Sequence, residues 1–135
     1  MLADKGLFAP YETDASKYCL MAGGGFSLSV MNNAIHPYFI LSLINSKLIF
    51  SVLRAESNKF RGGWITCTKQ YFANLPIKVI SLEAQKPFIS FASEIITTKA
   101  ANLTADTSAL EAEIDKLVYA LYELTDEEIA IVEGR

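Results

Sequence analysis

Cysteine, histidine and catalytic signatures are what this sequence has least of. Cys19 and Cys67 stand far apart, with no partner at metal-ligand spacing, which argues against both a disulfide framework and a zinc site. Two reduced thiols suit a cytosolic chain. The single histidine, His36, precedes Pro37 and has no second ligand candidate nearby, so a capping or surface role outweighs catalysis or metal binding. There is no Gly-x-Ser-x-Gly elbow, dinucleotide fingerprint, phosphate-binding loop or His-Glu-x-x-His pair. No enzyme activity of its own is therefore expected. Met1 is followed by Leu-Ala-Asp-Lys rather than a basic and then apolar leader. The most apolar stretch, Tyr38 to Leu53, is too short to span a bilayer and is interrupted by Asn45, Ser46 and Lys47. The expectation is a soluble cytoplasmic chain with no membrane partner.

Hydrophobic residues are abundant, at 51% with 11% aromatic, enough for a folded core in 135 residues. The net charge of −3 conceals a division. Residues 1–80 carry eight basic groups against four acidic ones, whereas residues 81–135 carry four against eleven. Polyanion binding belongs to the first part, and the acidic second part faces protein or solvent.

Hydrophobic patterning divides the chain in the same place. Gly6 to Tyr11, Tyr18 to Ala22 and Phe26 to Val30 read as short strands. The Gly23-Gly24-Gly25 triplet reads as a hairpin turn, since no Lys-Ser or Lys-Thr follows it as a phosphate cradle requires. Pro37 opens a helix that runs from Tyr38 through Arg54, apolar on most sides and therefore buried. Ile65 to Thr68 and Tyr71 to Ile80 read as strands, the second held to a sheet edge by Pro76.

Beyond Ser81 the period becomes helical. Phe88, Phe91, Ala92, Ile95 and Ile96 form one stripe, with Pro87 tolerable only in the first turn. Thr97 to Ser108 continues this helix loosely or breaks it. Leu110, Ile114, Leu117, Val118 and Leu121 form a second stripe on a helix ending near Glu123, so the two stripes bury each other in a helical hairpin or seal against the first part. Glu111 and Asp115 read as a solvated face rather than an acid site. Thr125 and Glu128 have the spacing of a capping box, with Leu124 and Ile129 at the positions of a hydrophobic staple. The expected architecture is α/β (α+β): a small mixed-sheet part over 1–80, then a helical part over 81–135.

One constellation carries chemistry. Lys47, Arg54, Lys59, Arg61, Trp64 and Lys69 gather between the buried helix and the following strand, opposed only by Glu56. Lysine and arginine neutralise phosphates, a guanidinium can read a guanine edge, and an indole stacks or wedges. These six are the candidate DNA-binding residues.

The order of motifs resembles the TaqI-like C-terminal specificity domain of type IIG restriction-modification enzymes. Tyr38-Phe-Ile-Leu-Ser-Leu-Ile-Asn-Ser-Lys-Leu is similar to a helix with a Leu-Asn-Ser-Lys signature, and Arg61-Gly-Gly-Trp to the loop after it. Tyr71-Phe-Ala-Asn-Leu-Pro-Ile resembles the Leu-Pro-Ile strand closing the recognition domain, and Gln85-Lys86 the start of the long spacer helix. Glu113-Ile-Asp-Lys-Leu-Val-Tyr, followed by Leu124-Thr-Asp-Glu-Glu, resembles the end of such specificity regions. The resemblance runs from about Gly23 to Glu133. It implies a target recognition domain that gives double-stranded DNA specificity to an upstream methyltransferase or endonuclease part, in the same or a partner polypeptide. S-adenosylmethionine is implied for that upstream part alone, and no cofactor for this segment, which lacks the Asn-Pro-Pro-Tyr methyltransferase motif and any Asp plus Glu-x-Lys nuclease set. The resemblance implies a C-terminal portion of a larger enzyme. An alternative of another class is a protein-protein module in which the acidic helical hairpin binds a partner chain.

Overall fold

The computed structural model describes residues 2–3, 8–10, 27–58, 65–66 and 68–135. Six helices account for most of these residues: α1 (Pro37–Asn45), α2 (Lys47–Glu56), α3 (Lys69–Phe72), α4 (Leu82–Ala101), α5 (Ser108–Tyr122) and α6 (Asp126–Glu133). The extended structure among them is one antiparallel ladder of two-residue strands, β1 (Leu2–Ala3) and β2 (Ile65–Thr66), in the register Leu2 to Thr66 and Ala3 to Ile65. The expected mixed-sheet α/β architecture is therefore wrong: the described fold is helical.

The error lies chiefly in Tyr71 to Ile80. Its first two residues close α3, and residues 75–81 belong to no helix or strand, with Ile77 N–H turning back to the Leu75 carbonyl at 2.9 Å. Leu75, Ile77 and Ile80 pack on the core while Lys78 and Val79 both face out, so the in-and-out order of a strand is lost after Ile77. Backbone groups that a sheet would pair find a side chain instead. Tyr122 Oη of α5 donates to the Pro76 carbonyl and accepts from Lys78 N–H at 3.1 Å. Lys78 Nζ in turn bonds the Leu121 carbonyl at 2.8 Å, near the end of α5. Residues 8–10 and 27–30 are likewise not strands, and the strand expected at Tyr18 to Ala22, the glycine triplet, Gly6, Leu7 and Tyr11 lie outside the described residues.

The long helix expected from Tyr38 to Arg54 is broken at Ser46, where the chain bends by 65°. Ser46 adopts φ −67°, ψ 152°, ending α1 and capping α2 through its hydroxyl, which accepts from Ile49 N–H at 3.3 Å. A serine favours a cap over a helix interior because its hydroxyl competes for local backbone partners. Asp115 of α5 adds a second acceptor, taking Lys47 N–H at 2.9 Å. His36 caps α1, its Nδ1 accepting from Tyr38 N–H at 3.1 Å.

Helix α4 begins a turn and a half earlier than Pro87 permits for a first-turn proline, so the expectation for that residue fails. Ser81 caps the helix by accepting Ala84 N–H, and Gln85 anchors it from within. Gln85 is fully buried, accepting His36 N–H at 2.8 Å and donating to the Ala34 and Ile80 carbonyls at 2.8 and 2.9 Å. Thr97 to Ser108 first continues α4 to Ala101 and then breaks. The Thr125–Glu128 capping box is present in both halves.

Phe39, Leu43 and Ile49 share one core with Phe88, Ile114 and Val118, spanning the expected boundary at residue 80. Phe39 meets Phe88 edge to face at 5.2 Å, a geometry that sets ring edge against ring face. A smaller cluster joins Leu53 and Ile65 to Phe50, Tyr71 and Phe72. Leu75 packs against both clusters. Among the described residues, no single helix is long and apolar enough to cross a membrane.

Candidate nucleic-acid interface

Helix α2 buries Ile49 and Leu53 and turns a polar stripe outward. Lys47, Ser51 and Arg54 recur at the i, i+4 and i+7 positions that share one helical face. At 1.5 Å per residue, Lys47 and Arg54 are about 10 Å apart along the axis. The stripe leads into residues 59–64, which hold Lys59, Arg61 and Trp64. Those three candidate residues lie outside the described residues.

The far side of that segment returns through β2 to α3, whose first residue is Lys69. Phe50 and Leu53 of α2 meet Tyr71 and Phe72 of α3 in the smaller cluster, so Arg54 and Lys69 are carried on elements packed together. Both are exposed. Asn45, at the end of α1, pairs with the backbone of Phe8, accepting its N–H and donating to its carbonyl at 2.9 Å each. Phe8 stacks edge to face on Phe72 at 5.2 Å. The N-terminal segment is thereby fastened to the base of α3 as well as to β2.

The described cations divide by partner. Lys86 pairs with Glu83, Lys116 with Glu113, Lys78 with Glu123 and Arg135 with Glu133. Lys99 reaches the Ala105 carbonyl at 2.6 Å. Lys47 lies 3.6 Å from Asp115 Oδ2 and 3.5 Å from Glu133 Oε1. Among the described residues Arg54 and Lys69 have no carboxylate partner. The structure thus carries Arg54 and Lys69 on helices that pack together, and it turns Lys47 toward the acidic helices at the other end of α2.

Asp115 was missed by the sequence reading as a solvated acid. It is 6% exposed and serves both the backbone N–H and the ammonium of Lys47. Burial pushes its carboxyl above the usual carboxylate range, against the hydrogen bond and charge from Lys47 that pull it down. Tyr119, one turn later, is pushed up to about 12 by burial and by the neighbouring charges of Asp115 and Glu133. Partial burial pushes Glu133 up, but Arg135 and Lys47 outweigh it and hold that carboxyl low. A signal was available in the sequence: Asp115 lies between Ile114 and Val118 on the apolar side of α5.

Among the described residues, the hydroxyls of Ser57 and Thr68 are buried without a hydrogen-bond partner. Among the described residues no three His, Cys, Asp or Glu side chains converge as metal ligands. Two depressions mark the surface among the described residues. One is an apolar cleft of about 250 Å³ between Leu28, Ile40, Ile44, Phe72, Leu75 and Ile77, and the other is a shallow trough along α4 from Lys86 to Thr98. The trough is lined by Lys86, Ser90, Ser93, Glu94, Thr97 and Thr98. Comparison of the chain with family models, with curated proteins and with solved structures finds no match.

Proposed function

We propose that this chain is a DNA sequence-recognition part of a restriction-modification methyltransferase, without catalysis of its own, meeting double-stranded DNA through the outward stripe of α2 and the loop that follows it. One observation carries the reading: Arg54 and Lys69, exposed on packed elements that precede and follow Lys59, Arg61 and Trp64 in the sequence, lack carboxylate partners among the described residues. Every other described cation is matched by a carboxylate or a carbonyl. Uncompensated positive charge at one end of a chain of net charge −3 is what a phosphate backbone recruits. In this reading the loop residues supply base contact and stacking, and the flanking cations fix register. The acidic α5 and α6 face the upstream catalytic part.

The decisive experiment titrates the chain against a labelled duplex across a salt series. Affinity is expected to fall steeply with salt, and Arg54→Ala and Lys69→Ala each to flatten the logarithmic slope by about one. Binding that is indifferent to salt, or to both substitutions together, overturns the reading in favour of a protein partner for the acidic helices.

A further inference from the structure

Lys47 stands at the head of the α2 stripe, yet its ammonium is turned to carboxylates from two other helices. Asp115 of α5 lies 3.6 Å away and Glu133 of α6 lies 3.5 Å away. The two acids differ in kind. Asp115 is buried and tied to Lys47 N–H, so it belongs to the helix cap. Glu133 is on the last turn of α6, and its other partners are Arg135 and, at 3.5 Å, the Tyr119 hydroxyl. Lys47 itself keeps 54% of its side chain exposed, so a phosphate oxygen can reach it. A carboxylate already on the ammonium competes with that phosphate.

We propose that α6 acts as an internal competitor: Glu133 occupies Lys47 and so tempers the affinity of the α2 stripe for a polyanion. This rests on the DNA-recognition reading and adds a regulatory contact to it. The C-terminal helix then sets how many cations the stripe offers. Lys47 is retained when α6 lies against α2, and it joins Arg54 when Glu133 is neutralised or α6 is drawn off by another protein surface.

The test uses the full chain and a labelled duplex of mixed sequence. Glu133→Gln keeps the shape of the side chain and leaves the Asp115 cap intact. It is expected to tighten binding by about two- to five-fold, the scale of a half-exposed ion pair, and to steepen the logarithmic salt slope by about one. Glu127→Gln makes the same change in net charge on an exposed α6 position and is expected to leave affinity near that of the unaltered chain. The gain from Glu133→Gln is expected to vanish in a Lys47→Ala background. If Glu133→Gln binds like the unaltered chain, if Glu127→Gln gives an equal gain, or if the gain persists without Lys47, the competition is overturned while DNA recognition stands. If no variant binds duplex, the recognition reading falls and takes this contact with it.

Discussion

Single side chains in this protein perform tasks that the sequence assigns elsewhere. Gln85 fits a spacer-helix signature, but its fully buried amide holds residues 34–36 against Ile80 with three hydrogen bonds. Gln85→Ala is expected to cost about 2–4 kcal/mol, by orphaning His36 N–H and two carbonyls, with a lower urea midpoint as the measure. Asp115 yields a pH dependence whose sign follows from burial. Its folded carboxyl titrates above the free value of 3.8, so the folded state holds the proton more tightly than the unfolded chain. Ionised Asp115 therefore costs stability above its folded pKa, and the cost is relieved as pH falls through that value toward 3.8. Asp115→Asn keeps an acceptor for Lys47 N–H without the charge. Relative to this variant, the unaltered chain is expected to gain stability between pH 7 and pH 4. A relative loss on acidification, measured by denaturation at both ends of that range, contradicts the assignment. The reading of Asp115 as solvated failed because one acidic residue in an acidic helix face looks like its neighbours until the start of α2 is brought against it.

At the level of the element, boundaries follow capping chemistry more than hydrophobic period. The end of α5 near Glu123 and the start of α6 at Thr125 were legible because both signals are local: Glu123 closes α5 in the left-handed region at φ 57°, and Thr125 and Glu128 bond reciprocally. The break at Ser46 was not legible, since the apolar run passes through it and half of the cap comes from Asp115, far along the chain. Pro87 tells the opposite story, for α4 tolerates it at the sixth helical position. Its ring removes the N–H that would reach the Glu83 carbonyl on an exposed face. Pro87→Ala is expected to stabilise the protein by about 1–2 kcal/mol, less than the full cost of an interior proline because proline also stiffens the unfolded chain. Thermal unfolding of the variant checks it, and a lower midpoint contradicts it.

For the whole molecule, the balance of helix against sheet turned on a partner that no local pattern reveals. Leu75 to Ile80 is apolar enough to read as a strand, yet Tyr122 meets its backbone where a second strand was expected. The charge division between the two parts was legible in full, because counting needs no contacts. Which cations are already spoken for was not, because that depends on α5 and α6 lying near α2. Of the six candidate residues, Arg54 and Lys69 are exposed on helices that pack together, and Lys47 lies beside acids. Leu75 touches both hydrophobic clusters, so heat cannot dissolve the patch beneath the candidate interface while sparing the main interior. Calorimetry should accordingly record one absorption peak, and Leu75→Ala should broaden or divide it. Whatever presses on that small patch from outside is felt, through one isobutyl group, by the entire bundle.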